Sequence, residues 1–225
     1  MAIDESLLAD VKPDDPVTIR LYRWIEPTLS IGHFQSIEQW KRDPRTCNAK
    51  SLGDIPWVRR KTGGGAILHD REWTYSIVIP ARLNHLAKGH SEILYRAVHR
   101  SILKGLQLLG WPAGLSEDCS CSAATRGDGE PFLCFQRRSP VDLVVGDHKI
   151  LGSAQRRQRA GLLQHGSLLI RSSSIYPELL GLEEIRAENS VSVDWESWME
   201  EYLRMGLRHA TQFTTRPNSI AENIG

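Results

Sequence analysis

Cysteine is scarce and irregularly placed in this 225-residue chain. Of the four cysteines, Cys119 and Cys121 are one residue apart while Cys47 and Cys134 stand alone. That spacing suits neither a disulfide framework nor the paired CxxC of a zinc site, so no bound metal is expected. Excess charge is also lacking: 28 Lys+Arg against 27 Asp+Glu leave a net charge of +1, and such a chain has no overall field for holding nucleic acid or an anionic membrane surface. No apolar run is long enough for a membrane span. The first ten residues, MAIDESLLAD, are acidic and lack the basic start and apolar stretch of a secretory signal, so a cytoplasmic location is expected. There is no repeat at a solenoid period and no linker-like composition, and one domain over residues 1–225 is expected. Hydrophobic residues at 40% and charged residues at 24% are ordinary globular values, which leaves catalysis or specific binding open.

Hydropathy patterning points to a mixed α/β or α+β fold, with largely antiparallel sheets and flanking helices. Val17, Ile19 and Leu21 alternate with polar neighbours, the period-two signal of a strand, and further strands are predicted over 55–60 and 66–79. Ser91 and Glu92 precede an apolar stripe at Leu94, Val98, Ile102, Leu106 and Leu109, with Gly110 just beyond, which predicts a capped helix. A second helix is predicted to open at Asp194 and bury Trp195, Trp198, Tyr202 and Met205. Residues 141–145, a Gly146-Asp147 turn and residues 149–154 read as a hairpin, and 162–170 as another strand. The polar, glycine-bearing stretch 115–131 reads as a long loop, and the tail after Phe213 as a frayed end.

Two stretches carry candidate chemistry. In Arg59-Arg60-Lys61-Thr62-Gly63-Gly64-Gly65, three consecutive glycines beside two arginines expose backbone N–H groups able to hold a carboxylate, a phosphate or a thioester carbonyl. The same residues also fit a flexible turn on a solvated basic edge. The second stretch runs from Cys134-Phe135 through Asp142 and His148-Lys149-Ile150-Leu151-Gly152-Ser153-Ala154-Gln155-Arg156-Arg157 to Leu163-Gln164-His165-Gly166-Ser167. Cys134 reads first as a small core hydrophobe, the usual fate of a free cysteine, with a nucleophile as the other reading, and Lys149 as a solvated hairpin lysine or a site residue. His69 and His165 are expected to be satisfied structural histidines that shape a pocket. Arg156, Arg157 and Arg159 read as a solvated strand end or as a docking surface for an acidic carrier protein.

RRKTGGGAILH, HKILGSAQRR and LLQHGSLL occur in this order and at these separations, preceded by RLYRWIEPTLSIGHFQ. Together they resemble the lipoate–protein ligase and octanoyltransferase family, whose fold is shared with the catalytic domain of biotin–protein ligases. The resemblance covers most of the chain from about Arg20 to Ile170. It implies that Lys149 meets the acyl carbonyl region. It also implies that a cysteine in a Cys-Phe segment upstream of that lysine carries the acyl group as a thioester in one transferase branch; Cys134-Phe135 matches, fifteen positions before Lys149. The other transferase branch places its cysteine after the lysine, and no cysteine follows Lys149 here. Asp142 matches an aspartate that faces the target amine or adenylate in the ligases, and here it could orient Lys149.

The resemblance thus implies catalytic residues Cys134 and Lys149, with substrate held by Arg59, Arg60, Thr62, Gly63, Gly64, Gly65, His69, Asp142, Gly152, Ser153, Ala154, His165 and Gly166. A neighbouring ammonium would favour the thiolate, and Lys149 could act as general base if burial lowers its pKa toward neutrality. Ile67, Leu68, Leu151 and Leu168 are expected to wall a tunnel for the acyl tail. The expected activity is octanoyl transfer from acyl carrier protein to a lysine of a lipoyl domain or of glycine-cleavage H protein. It would need no cofactor, and the chain is expected to act as a monomer. Gly65 departs from this branch, whose members often carry arginine there. The alternative is a lipoate–protein ligase using ATP and magnesium with a separate accessory domain, since only 60 residues follow His165. A non-catalytic acyl-binding adaptor is a third reading.

Overall fold

The computed structural model describes residues 1–42, 55–86, 92–118, 131–185 and 192–212. In chain order the elements are α1 (Ala2–Asp10), β1 (Thr18–Tyr22), β2 (Thr28–Ile31), α2 (Ile37–Arg42), β3 (Trp57–Arg59), β4 (Ile67–His69), β5 (Glu72–Pro80), α3 (Glu92–Leu108), β6 (Ala113–Leu115), β7 (Leu143–Val145), β8 (His148–Arg157), β9 (Gly161–Leu169), α4 (Leu182–Ile185) and α5 (Trp195–Gln212). Cys47, Cys119 and Cys121, most of the anticipated loop, the Ser91 cap and the tail after Phe213 lie outside the described residues.

Six strands form one antiparallel sheet in the order β1-β5-β9-β8-β7-β6, and β3-β2-β4 form a smaller mixed sheet. The hairpin expected at Gly146-Asp147 joins β7 to β8, with Val145 opposite His148 and Gly146 at φ +55°, the left-handed geometry that tight hairpins use. The strand expected over 66–79 is instead two. The carboxylate of Glu72 accepts the Asp70 N–H at 2.7 Å and meets His69 Nδ1 at 2.5 Å. This fixes a turn that sends β4 into the small sheet and β5 into the large one.

The stop of α3 and the start of α5 fall where the sequence indicates. Gly110, at φ +83°, donates to Gln107 O while Trp111 donates to Leu106 O, the paired bonds of a Schellman stop. Asp194 caps α5 through the Ser197 N–H. The buried stripe of α5 is Met199, Tyr202, Leu203, Leu207 and Ala210, while Trp195, Trp198 and Met205 are half-buried at its edge. Gly105 lets α5 approach α3 closely, since a Cβ there would meet Trp198 and Tyr202 at 2.6 Å. These helices cover one face of the large sheet, where Tyr75, Ile77, Ile79, Leu151 and Leu168 join the main core.

The other face carries short and polar residues in register. Thr74 pairs with Ser167 and Ser167 with Gly152; Ser76 pairs with His165 and His165 with Ala154. It is covered by the small sheet and by α1, an element the acidic N-terminal sequence did not suggest. Buried Asp4 anchors α1 by pairing with Arg20 and by accepting from Tyr22 Oη and Ser76 Oγ, each at 2.8 Å. The site lies between these layers.

Candidate active site

The glycine segment is stitched to the segment carrying the cysteine. The Ala66 N–H donates to Phe132 O at 2.9 Å and the Cys134 N–H to Ala66 O at 2.7 Å, placing Cys134 at the start of a single 3-10 turn, Cys134–Gln136. Gly65 permits this approach: a Cβ there would stand 2.8 Å from Cys134 N and 2.7 Å from Arg137 Nε. In this chain an arginine at position 65 would therefore collide with the cysteine's own backbone. Arg60, 2% exposed, braces the glycine loop from beneath by donating to Ser30 O, Gly63 O and Gly65 O. Burial pushes its pKa down to about 10, with the charge of Cys134 opposing the shift, so it remains a cation.

Lys149 reaches Cys134 from β8. Its Nζ lies 2.7 Å from Asp142 Oδ2, 3.2 Å from the carbonyls of Cys134 and Arg137, and 3.7 Å from Cys134 Sγ. Burial opposes the charge on Lys149, but negative charge at Cys134 and Asp142 outweighs it and holds the pKa above the ordinary lysine value. The condition for a general base, a pKa brought toward neutrality, is therefore not met: Lys149 is a buried ammonium held in an ion pair. Asp142 is itself held by the Ser139 N–H at 2.7 Å.

Cys134 opens onto a narrow cavity lined also by Met1, Arg60, Gly64, Ile67, His69, Thr74, Gly152, Ser153, Ala154, His165, Gly166 and Ser167, which present mostly carbon to it. Gly64 is exposed and Cys134 half-buried, marking the mouth. His69, Thr74 and Ser167 are fully buried and mark the inner end. Behind that end the Trp24 ring stacks on His69 at 4.2 Å and its Nε1 donates to Thr74 Oγ1 at 3.3 Å. On its far side Trp24 borders a separate open groove of about 520 Å³.

Nine of the residues expected to form the site thus line one cavity. Thr62 acts through His165, its Oγ1 lying 2.8 Å from His165 Nε2, while Asp142 and Gly65 act through Lys149 and Cys134. Arg59 does not line the cavity; it is exposed and donates to the carbonyls of His33 and Gln35. Gly63 also lies off the cavity. Of the tunnel residues expected, Ile67 lines the cavity but Leu151 and Leu168 point to the opposite face, into the helix-covered core, and Leu68 packs in the small-sheet core. A strand's period of two decides this: the cavity face of β8 holds Gly152 and Ala154, not Leu151. Thr74 and Ser167 were not anticipated; buried polar residues at every second position of β5 and β9 are the signal that could have found them. Arg156 donates to Lys61 O at 2.6 Å, tying β8 to the glycine loop, while Arg157 and Arg159 are exposed.

Both histidines are neutral. Burial, aided by the Arg60 charge, pushes His165 down to about 3, and burial likewise lowers His69. His69 sits between Ser30 Oγ at 2.7 Å and Glu72 Oε1 at 2.5 Å, an order of groups seen in hydrolases. Ser30 is completely buried and accepts from Arg60, however, so the three groups brace β2, β4 and β5 and present no nucleophile.

The fold resembles that of solved lipoate-protein ligases. A bi-partite lipoate protein ligase from Thermoplasma acidophilum superposes with a TM-score of 0.61 at 20% identity, covering 98% of this chain and 81% of that one. A lipoate-protein ligase A bound with ATP gives 0.63 at 21% identity, covering 94% and 79%. Residues 1–193 match the lipoyl protein ligase A/B catalytic domain, and the chain belongs to that family. Among curated proteins, the octanoyltransferase LipM of Kyrpidia tusciae is 38% identical over 171 residues, 76% of this chain and 61% of that protein. The octanoyltransferase LipM of Symbiobacterium thermophilum is 40% identical over 171 residues, 76% and 60%. The chain thus spans about three fifths of the length of these relatives. Among the described residues, no helix is long and apolar enough to cross a membrane.

Proposed function

We propose that this chain is an octanoyltransferase that moves an octanoyl group from acyl carrier protein, through a thioester on Cys134, to the ε-amine of a lysine in a lipoyl domain or glycine-cleavage H protein. The observation that carries this reading is the position of the Cys134 thiol, at the mouth of a carbon-lined slot and 3.7 Å from a buried ammonium. The likeness to octanoyltransferases supports it.

In the first half-reaction Cys134 gives up its proton and attacks the carrier thioester as the thiolate; the bond from the carbonyl to Cys134 Sγ forms, the bond to the carrier sulfur breaks, and the carrier leaves as a thiol with the proton that Cys134 lost. One thioester replaces another, so no nucleotide is needed. In the second, the acceptor amine attacks the carbonyl, Cys134 leaves as thiolate, and the proton lost by the nitrogen returns to that sulfur. Lys149 contributes its charge: an ammonium beside the sulfur stabilises the thiolate as it attacks and as it departs. The Arg60-braced glycine loop fixes the backbone beneath Cys134, and the octanoyl tail follows the slot toward His69 and Thr74, where Trp24 closes it.

A side-by-side assay tests the reading. One reaction holds octanoyl acyl carrier protein and an acceptor lipoyl domain; the other holds octanoate, ATP and magnesium with the same acceptor. Octanoylation in the first alone is the expected result. Octanoylation in the second alone would establish a ligase, and none in either would point to the adaptor.

A further inference from the structure

Beneath the slot, on the helix-covered side of the large sheet, lies a buried chain of hydrogen bonds that the chemistry above does not use. His99 of α3 is completely buried. Its Nδ1 lies 2.6 Å from Val141 O and its Nε2 2.6 Å from Ser153 Oγ. A carbonyl can only accept, so Nδ1 carries the proton. The ring is neutral because burial lowers its pKa, so Nε2 accepts from Ser153. Ser153 then has no further proton to give and accepts from Tyr75 Oη at 2.6 Å. Tyr75 in turn accepts from Gln164 Nε2 at 3.2 Å, and Gln164 Oε1 from Gln155 Nε2 at 2.8 Å. Every donor in this row has one direction, and the row ends on the peptide that joins Val141 to Asp142.

That peptide precedes β7, and the ladder between β7 and β8 just beyond it shifts register between Leu143 and Val144. Pairing with β8, the strand that carries Lys149, therefore does not set the position of Asp142. Its own C=O accepts the Ser116 N–H just past the end of β6 and its N–H donates to Ser139 O in the turn before β7, while His99 ties the neighbouring carbonyl to a 17-residue core helix. We propose that His99 is a positioning residue: by holding Val141 O through Nδ1, it sets the Asp142 carboxylate and thereby the Lys149 ammonium against Cys134. Its place in catalysis rests on the transferase reading, but its effect on Cys134 does not.

The test is the alkylation rate of Cys134 by iodoacetamide at pH 7.5, followed on the Cys134 peptide by mass spectrometry, which requires no acyl transfer. His99→Asn places its amide nitrogen where Nδ1 lies and can still donate to Val141 O; His99→Gln places it where Nε2 lies and cannot. At an effective dielectric of about 20, withdrawing the ammonium by about 1 Å weakens its hold on a thiolate roughly fivefold. His99→Gln and His99→Leu are therefore expected to slow alkylation roughly fivefold, and His99→Asn to stay within about twofold of the parent. Ile102→Val, a core trim on the same helix, controls for lost stability and is expected to leave the rate unchanged. His99→Asn and His99→Gln differ little in bulk and polarity, so the pair decides the matter even if His99→Leu fails to fold. Equal rates for these two variants, or loss in Ile102→Val matching that in His99→Gln, would overturn the proposal.

Discussion

Lys149 lies folded across Gly152: a Cβ on that glycine would stand 2.6 Å from Lys149 Cε and 2.9 Å from Nζ. The ammonium reaches Cys134 only because β8 has no side chain there. Gly152→Ala is therefore expected to displace the lysine arm and slow acylation of Cys134 by about tenfold or more, with stability changed by only about 1–2 kcal/mol. Acylation rates with thermal melting check this; an unaltered rate would show that the close approach is not needed.

Removing the charge of Lys149 leaves Asp142 buried without its cation. Lys149→Met is expected to cost about 3–5 kcal/mol of stability, and Asp142→Leu in the same chain to recover much of it. Because Lys149 serves as an ammonium, Lys149→Met is expected to slow both half-reactions. Single-turnover loading and single-turnover discharge of pre-formed acyl-enzyme separate the two. Slowing of discharge alone would restore the general-base role.

Trp24 separates the inner end of the slot from the open groove behind it. Trp24→Ala is expected to keep octanoyl loading within about threefold and to raise decanoyl loading about tenfold, since each of its two extra methylenes that gains burial contributes about 0.8 kcal/mol. A shorter hexanoyl donor is expected to bind roughly tenfold more weakly than octanoyl in the parent protein. Loading with matched acyl carrier proteins measures both, and an unchanged order of chain lengths in Trp24→Ala would place the end of the slot elsewhere.

Three buried neutral histidines predict acid sensitivity. Burial lowers His69, His99 and His165, the last to about 3. Unfolded histidines titrate near 6.5, so below that pH the unfolded chain binds protons that the folded chain refuses. Stability is therefore expected to fall as pH drops from about 6.5 toward 3, by up to about 1.4 kcal/mol per pH unit for each such histidine. Urea unfolding at pH 7, 6 and 5 is expected to show a shallower decline for His165→Asn than for the parent. Identical slopes would mean that His165 does not contribute.

The elements most legible in the sequence are those with a strong local signal: the stripe of α3 with its Gly110 stop, the Asp194 cap and the Gly146 turn. The pairing of Cys134 with Lys149 rested on resemblance, and the geometry brings the two together. What was not legible depends on contacts across the fold. The break between β4 and β5 is made by one carboxylate, Glu72, reaching back over a turn, and nothing in the alternation of 66–79 marks it. The tunnel leucines were chosen for hydrophobicity, but the strand period sends Leu151 and Leu168 to the other face. The pKa of Lys149 could not be read from burial alone, because Asp142 and Cys134 sit on separate segments that only the fold brings to it. His99 carries no motif, and its place becomes visible only once Val141 and Ser153 flank it.

The central claim, a covalent acyl group on Cys134, is tested most directly by intact mass measurement after brief exposure to octanoyl acyl carrier protein without acceptor. The account predicts one octanoyl adduct, mapped by peptide analysis to Cys134, removed by hydroxylamine, discharged on adding a lipoyl domain, and absent in Cys134→Ala. An adduct of equal yield in Cys134→Ala, or full transfer to the lipoyl domain by that variant, would contradict it.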